Sequence, residues 1–256
     1  MTRTLVIANQ KGGVGKSTSV MNLGIALAER DLRVLLIDLD PQGGLTAAFG
    51  IDSYDIRRSA FSLIMYDHVS LARVVRPVRA KLALVPASID LAASEVQLAG
   101  AADRAHRLRL SLQRSRVPFD YVLIDTPPGL GVLMANGLVA ADEVVIPVQC
   151  QYLAMRGVRA LMDTVVRVKS RLNASLRLAG LFGTMYRADS EHAQEVVDEL
   201  RAVFGPKMFK TLIHYDDVVA EAPIIGLSVL EYSPRHPIAQ GYRALAEEIA
   251  HGRAES

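Results

Sequence analysis

Residues 10–18 read Gln-Lys-Gly-Gly-Val-Gly-Lys-Ser-Thr, and the types gathered there point to phosphate chemistry. Gly12, Gly13 and Gly15 have no β-carbon to obstruct an anion, so backbone N–H groups along the segment, Val14 included, can converge on phosphate oxygens. Lys16 supplies a point charge for β and γ phosphates, and the Ser17 hydroxyl is the group that ligates Mg2+ in loops of this kind, with Thr18 next to it. The spacing departs from G-x-x-x-x-G-K-[S/T] at Gln10, where a first glycine would stand, and it adds a second lysine, Lys11.

Three carboxylates follow short apolar runs. Asp38 and Asp40 come after residues 34–37, and Asp125 closes residues 121–124. A strand that ends in a carboxylate can hold a Mg2+ water beside a phosphate loop, which places Asp125 in the metal site. The next residues, Thr126-Pro127-Pro128-Gly129, are stiff at the prolines and loose at the glycine, as suits a loop that senses a γ phosphate.

These groups need a scaffold, and the apolar pattern supplies one. Dense runs recur at residues 5–8, 34–37, 82–85, 121–124, 144–148 and 176–182, each of strand length. Between most of them lie helical spacings, such as Val20, Leu23 and Leu27, or Val158, Leu161, Val165 and Val168. Continuous runs mark strands buried on both faces. The pattern predicts a doubly wound α/β fold, a mostly parallel sheet with helices on both faces, of the P-loop NTPase kind. Residues 1–256 are expected to form a single ATPase domain; residues 50–79 are the least regular stretch. Ala239, Tyr242, Leu245, Ala246 and Ile249 make an apolar stripe that predicts a packing helix.

Composition excludes several classes. A chain that is 50% hydrophobic and 22% charged is neither disordered nor fibrous. No stretch approaches the roughly 18 consecutive apolar residues of a spanning helix, so membrane insertion is not expected. The amino terminus lacks a secretory pattern, and the single cysteine, Cys150, cannot close an internal disulfide, so a reducing cytoplasm is the expected setting. A net charge of +2 does not by itself demand a nucleic-acid partner.

With these residues in view, the sequence resembles the ParA-type partition ATPases, within the larger group that includes MinD and the nitrogenase iron protein. The resemblance covers almost the whole chain and rests on residues 11–18, Asp38-Leu39-Asp40-Pro41-Gln42-Gly43, Asp125-Thr126-Pro127-Pro128, Pro147-Val148-Gln149, Thr184-Met185-Tyr186 and Glu221-Ala222-Pro223. It implies an ATP- and Mg2+-dependent homodimer that segregates or positions cargo, plasmid or chromosome DNA or a protein assembly, and whose slow hydrolysis a ParB-like partner triggers. In that setting Lys11 reaches across the dimer to the partner's phosphates, a role that arginine fingers fill elsewhere. Asp40 orients the attacking water, Asp38 supports either the metal shell or the loop, and Met185 and Pro223 enclose the adenine. The family often has serine where this chain has Gly129.

The resemblance also implies non-specific DNA binding near the nucleoid, by basic side chains on phosphates. Here the match weakens, because Tyr215 and Val218 stand where the family tends to place arginines, with Asp216 and Asp217 between them. Two other basic clusters could substitute: Arg104, Arg107, Arg109, Arg114 and Arg116, or Arg156, Arg159, Arg167, Lys169 and Arg171. Alternative readings are a MinD-like membrane-cycling ATPase, disfavoured by the mixed charge of the last helix, and a P-loop ligase that activates a small carboxylate. An iron-protein reductase is excluded, since one cysteine per chain gives a dimer two thiols for a bridging cluster that needs four.

Overall fold

The computed structural model describes residues 2–115 and 118–252. Its centre is a seven-stranded sheet: β1 (Arg3–Ile7), β2 (Val34–Asp38), β3 (Arg76–Arg79), β4 (Leu82–Val85), β5 (Tyr121–Asp125), β6 (Glu143–Gln149) and β7 (Arg177–Thr184), in the order β3-β4-β2-β5-β1-β6-β7. All neighbours are parallel except β3, which runs antiparallel to β4 with a register shift between Pro77 and Arg79. The six expected strands are present, and β3 is an addition. It falls in the stretch of weakest regularity, and its half-exposed Arg-Pro-Val-Arg is edge-strand chemistry, since proline cannot donate into a central ladder.

The sheet is covered on both faces. Among the described residues the α-helices are, in chain order, α1 (Lys16–Ala28), α2 (Gly44–Ala48), α3 (Ala60–Met65), α4 (Leu71–Val74), α5 (Leu91–Gln97), α6 (Arg107–Arg114), α7 (Val132–Ala140), α8 (Ala154–Arg171), α9 (Glu191–Phe204), α10 (Val218–Glu221), α11 (Val229–Tyr232) and α12 (Pro237–His251). On one face Leu35, Ile37 and Val6 pack with Leu133 of α7, Leu161 of α8 and Leu200 of α9. On the other, Leu36, Leu5 and Ile7 pack with Val20 and Leu23 of α1 and with Tyr242 and Leu245 of α12. Successive strand residues enter opposite cores, which is why the strands read as unbroken apolar runs. Each fully buried side chain of this size contributes roughly 1.5–3 kcal/mol.

Strand β1 lies between β5 and β6; the chain runs from β1 to β2 on the β5 side, and later from β5 to β6 on the other side of β1, so the strand order reverses there. Ligands of open α/β sheets collect in such a crevice, at the carboxyl ends of the strands. No helix among the described residues is long and apolar enough to cross a membrane.

Candidate functional site

The loop that leaves β1 is pinned from both sides. Asn9 donates from Nδ2 to the Pro147 carbonyl (2.7 Å), and its Oδ1 accepts from the Lys11 N–H (3.0 Å). Buried Val14 anchors the far end, its carbonyl accepting from Thr184 Oγ1 at 3.1 Å. Gly13 and Gly15 take φ of +72° and +83°, a left-handed turn that side chains resist, and Gly15 then opens α1. A β-carbon added at Gly12, Gly13 or Gly15 would meet nothing within 4 Å. The loop is therefore an open backbone cradle at a helix start, where unsatisfied N–H groups and the helix dipole favour an anion.

The two lysines occupy opposite environments. Lys16 is only 6% exposed, and its ammonium donates to the Lys11 carbonyl at 3.1 Å. Burial lowers its pKa, while Asp125 and Asp40 pull it back up. Lys11 is exposed, and its Nζ donates outward to Gln149 Oε1 at 2.7 Å.

Asp38 and Asp125 end β2 and β5 at adjacent register positions, and both are fully buried. Asp38 accepts from the Asp40 N–H (3.0 Å), the Thr46 N–H (2.9 Å) and the Thr46 hydroxyl (2.6 Å). Burial still pushes its carboxyl up to about 6. Of the two roles the sequence leaves open for Asp38, these bonds are those of a loop support: they tie residues 40 and 46 to the sheet edge. Neither oxygen of Asp125 has a hydrogen-bond partner of normal geometry among the described residues. Burial drives its pKa well up, Asp38 adds to this, and the nearby Ser17 hydroxyl and Lys16 ammonium offset only part of the cost. A buried carboxylate without partners is expensive unless a cation completes it. Asp125 with the Ser17 hydroxyl is thus a donor set that fits Mg2+, a cation of oxygen ligands that keeps several of its waters.

Asp40 is 9% exposed and accepts the Gln42 N–H at 2.9 Å, while its carbonyl accepts from Gly43. A β-carbon on Gly44 would stand 3.4 Å from the Ser17 hydroxyl, so this turn lies directly beside the loop. In the turn after β5, Thr126 donates to the Ile7 carbonyl at 2.9 Å and Gly129 adopts φ +112°. That backbone conformation accounts for glycine here, since any side chain would be strained.

Beside the cradle lies a cavity of about 260 Å³, bounded by Gly15 and Thr18 on the loop side and by Met185. Its far wall is Tyr215, Asp216, Asp217, Val219 and Ala220. Thr18 and Met185 thus bound one cavity beside the cradle. Pro223 is not among the residues that bound this cavity: it is the second residue of the turn Ala222–Ile225, where its carbonyl accepts from Gly226. The wall instead comes from residues just before Glu221, which sequence reasoning weighed only as a lost DNA surface. The one signal that could have found them is their position three to eight residues before Pro223 in the same motif region.

The basic clusters differ. Arg107 pairs with Asp67 and Asp103, Arg114 pairs with Asp67, and Arg104 donates to the Ala99 carbonyl. Arg109 lines a separate cavity with Thr2 and Thr4, and Arg116 lies outside the described residues. On α8, Arg156, Arg159, Lys169 and Arg171 have no carboxylate partner among the described residues, and Arg167 donates to Thr164. Next to the cavity wall the Arg187 guanidinium stacks on the Tyr215 ring at 4.6 Å.

Comparison with known proteins agrees with this geometry. Residues 2–178 match the family described as an AAA domain. The chain is 42% identical over 255 residues to the chromosome-partitioning ATPase Soj of Treponema pallidum, covering 97% of each. It is 38% identical to the sporulation initiation inhibitor protein Soj of Bacillus subtilis, covering 98% of this chain and 99% of that one. Among solved structures it superposes on cobyrinic acid a,c-diamide synthase from Mycobacterium smegmatis with bound ADP and magnesium, at a TM-score of 0.86 and 35% identity, covering 100% of this chain and 97% of that one. The fold also matches apo McdA from Cyanothece at a TM-score of 0.87 and 23% identity, covering 97% and 100%. With an open glycine cradle, a buried and an exposed lysine on one loop, and likeness to Soj along nearly the whole sequence, the chain belongs to the family of ParA/Soj-type partition ATPases.

Proposed function

We propose that residues 1–256 act as one ATP-dependent dimerising switch that positions cargo, with slow hydrolysis triggered by a ParB-like partner. The observation that carries this reading is the opposite placement of two lysines five residues apart. Buried Lys16 serves the phosphates of its own protomer, and exposed Lys11, bonded outward to Gln149, is placed to serve those of a second copy. Backbone N–H groups of residues 12–18 hold the phosphate oxygens, and Thr18 and Met185 face the base. Ser17 and Asp125 would hold Mg2+, which would supply positive charge against the phosphates. Asp38 fixes the turn that carries Asp40. Asp40 orients a water whose oxygen attacks the γ phosphorus as the bond to the bridging oxygen breaks, giving ADP and phosphate. Lys11 and Lys16 compensate the charge that develops, so cleavage waits for pairing.

The test is sedimentation of Asp40→Ala with Mg2+ and ATP. The expected result is a stable dimer with bound ATP and no turnover, which Lys11→Ala in the same background returns to monomer. Hydrolysis at the normal rate in Asp40→Ala would remove the role given to Asp40.

For the track, we infer DNA contact by the basic residues without a carboxylate partner on α8, a helix that packs in the other core from Val218 beside the acids at 216 and 217. A mobility shift on unrelated DNA with ATP, weakening steeply with salt, is expected, and its absence at low salt removes DNA from the reading. A second reading, ligation at a small carboxylate, is favoured by the superposition on the diamide synthase. ATP turnover that depends on an added carboxylate and an amine donor would favour it over the switch.

A further inference from the structure

Gln149, the last residue of β6, bridges two groups that the mechanism above uses separately. Its Oε1 accepts from Lys11 Nζ at 2.7 Å, and its Nε2 donates to Met185 Sδ at 3.2 Å. Chemistry fixes the sense of the amide: an ammonium can only donate and a thioether can only accept, so turning the amide over would lose both contacts. The two bonds are unequal. The first is charge-assisted, whereas a thioether is a weak acceptor.

Met185 stands at the edge of the cavity, held at φ +51°, a conformation uncommon for a residue with a side chain. Its backbone is set by its neighbours: Thr184 before it bonds to Val14, and Tyr186 after it exchanges backbone bonds with Ile213 and Tyr215. A base entering beside Thr18 therefore meets a methionine whose backbone cannot yield. The adjustment falls on the flexible thioether and on the amide bonded to it.

We propose that Gln149 is a positioning residue that makes the movement of Lys11 depend on the base. Through the contact seen here, the amide ties the Lys11 ammonium to its own protomer. A base packed against Met185 displaces the thioether, loosens the amide and frees Lys11 to cross. The inference rests on the switch reading and deepens it: the base, and not the triphosphate alone, licenses pairing.

The test measures the dimer dissociation constant of the full chain carrying Asp40→Ala, at saturating Mg2+ with either ATP or inorganic tripolyphosphate. ATP is expected to pair the protein about tenfold more tightly than tripolyphosphate, a typical coupling between two sites. Adding Gln149→Leu brings the two probes to within about twofold by strengthening the tripolyphosphate dimer. Met185→Leu keeps the volume, removes the acceptor and has the same effect, and the double variant goes no further than either single one. An ATP to tripolyphosphate ratio that Gln149→Leu leaves unchanged, or effects of the two variants that simply add, overturns the proposal. Failure of ATP to pair the Asp40→Ala protein at all would instead sink the switch reading.

Discussion

Asp38 and Asp125 face each other across the β2–β5 pair at its last register position, yet Asp38 accepts three hydrogen bonds and Asp125 accepts none of normal geometry among the described residues. Two buried carboxylates side by side repel, and Asp125, with only the nearby Ser17 hydroxyl and Lys16 ammonium to offset its burial, is the less compensated of the two.

Asp125→Asn should therefore stabilise the nucleotide-free protein while damaging the site. Removing an uncompensated buried charge is expected to contribute about 1–3 kcal/mol, or several degrees in Tm. Affinity for ATP in the presence of Mg2+ should fall at least about tenfold, as loss of a charged metal contact implies. Thermal melts with and without Mg2+ and ATP check both halves; a lower melting point for the free variant would count against the missing partner.

The two lysines should separate binding from pairing. Lys16→Ala is expected to abolish stable nucleotide binding, measured by calorimetry. Lys11→Ala should bind ATP with nearly unchanged affinity and lose dimerisation and turnover, by the roughly 10³-fold or more typical of a missing finger residue. Equal loss of binding in both variants would contradict the division of labour.

Glu231 closes a capping box with Ser228 at the start of α11 and pairs with Arg79 of β3. Burial pushes its carboxyl up, but hydrogen bonds from Ser228 and the Arg79 guanidinium hold it, on balance, below the usual range. A depressed folded-state pKa gives stability that is present above the unfolded value, about 4.3, and lost as pH falls through the folded one. Glu231→Gln should cost about 1 kcal/mol at neutral pH. Its gap from the wild type should close as the solution is acidified below about pH 4.

Cys150 is buried, and burial pushes its thiol up to about 11. At pH 8 almost no thiolate forms in the folded protein. Alkylation should be about a hundredfold slower than in the unfolded chain, whose thiol titrates near 8.5. Rapid labelling of native protein would show that the β6 end opens.

The cradle was legible because its chemistry lies in nine consecutive residues whose types have few other uses. Six strands were legible because burial on both faces leaves unbroken apolar runs. Strand β3 was not, since an edge strand buries too little of Arg76–Arg79 to leave a pattern. The cavity wall escaped for another reason. Tyr215, Asp216 and Asp217 reach Thr18 only after the chain has crossed the sheet, and nothing local in their sequence marks which side of a turn faces a ligand. The motif holding Pro223 was legible, but Pro223 itself is not among the residues that bound the cavity. Asp38 and Asp125 look alike as letters, and only tertiary hydrogen bonds tell them apart.

The helix that follows the cradle is backed by the last helix of the described chain: α12 lies on α1, Tyr242 sits near the Ser19 hydroxyl, and Asn22 holds the start of α11. During synthesis the loop leaves the ribosome more than two hundred residues ahead of its own cover. A nascent chain that has not yet released α12 carries the glycine loop on a helix whose apolar face is still uncovered.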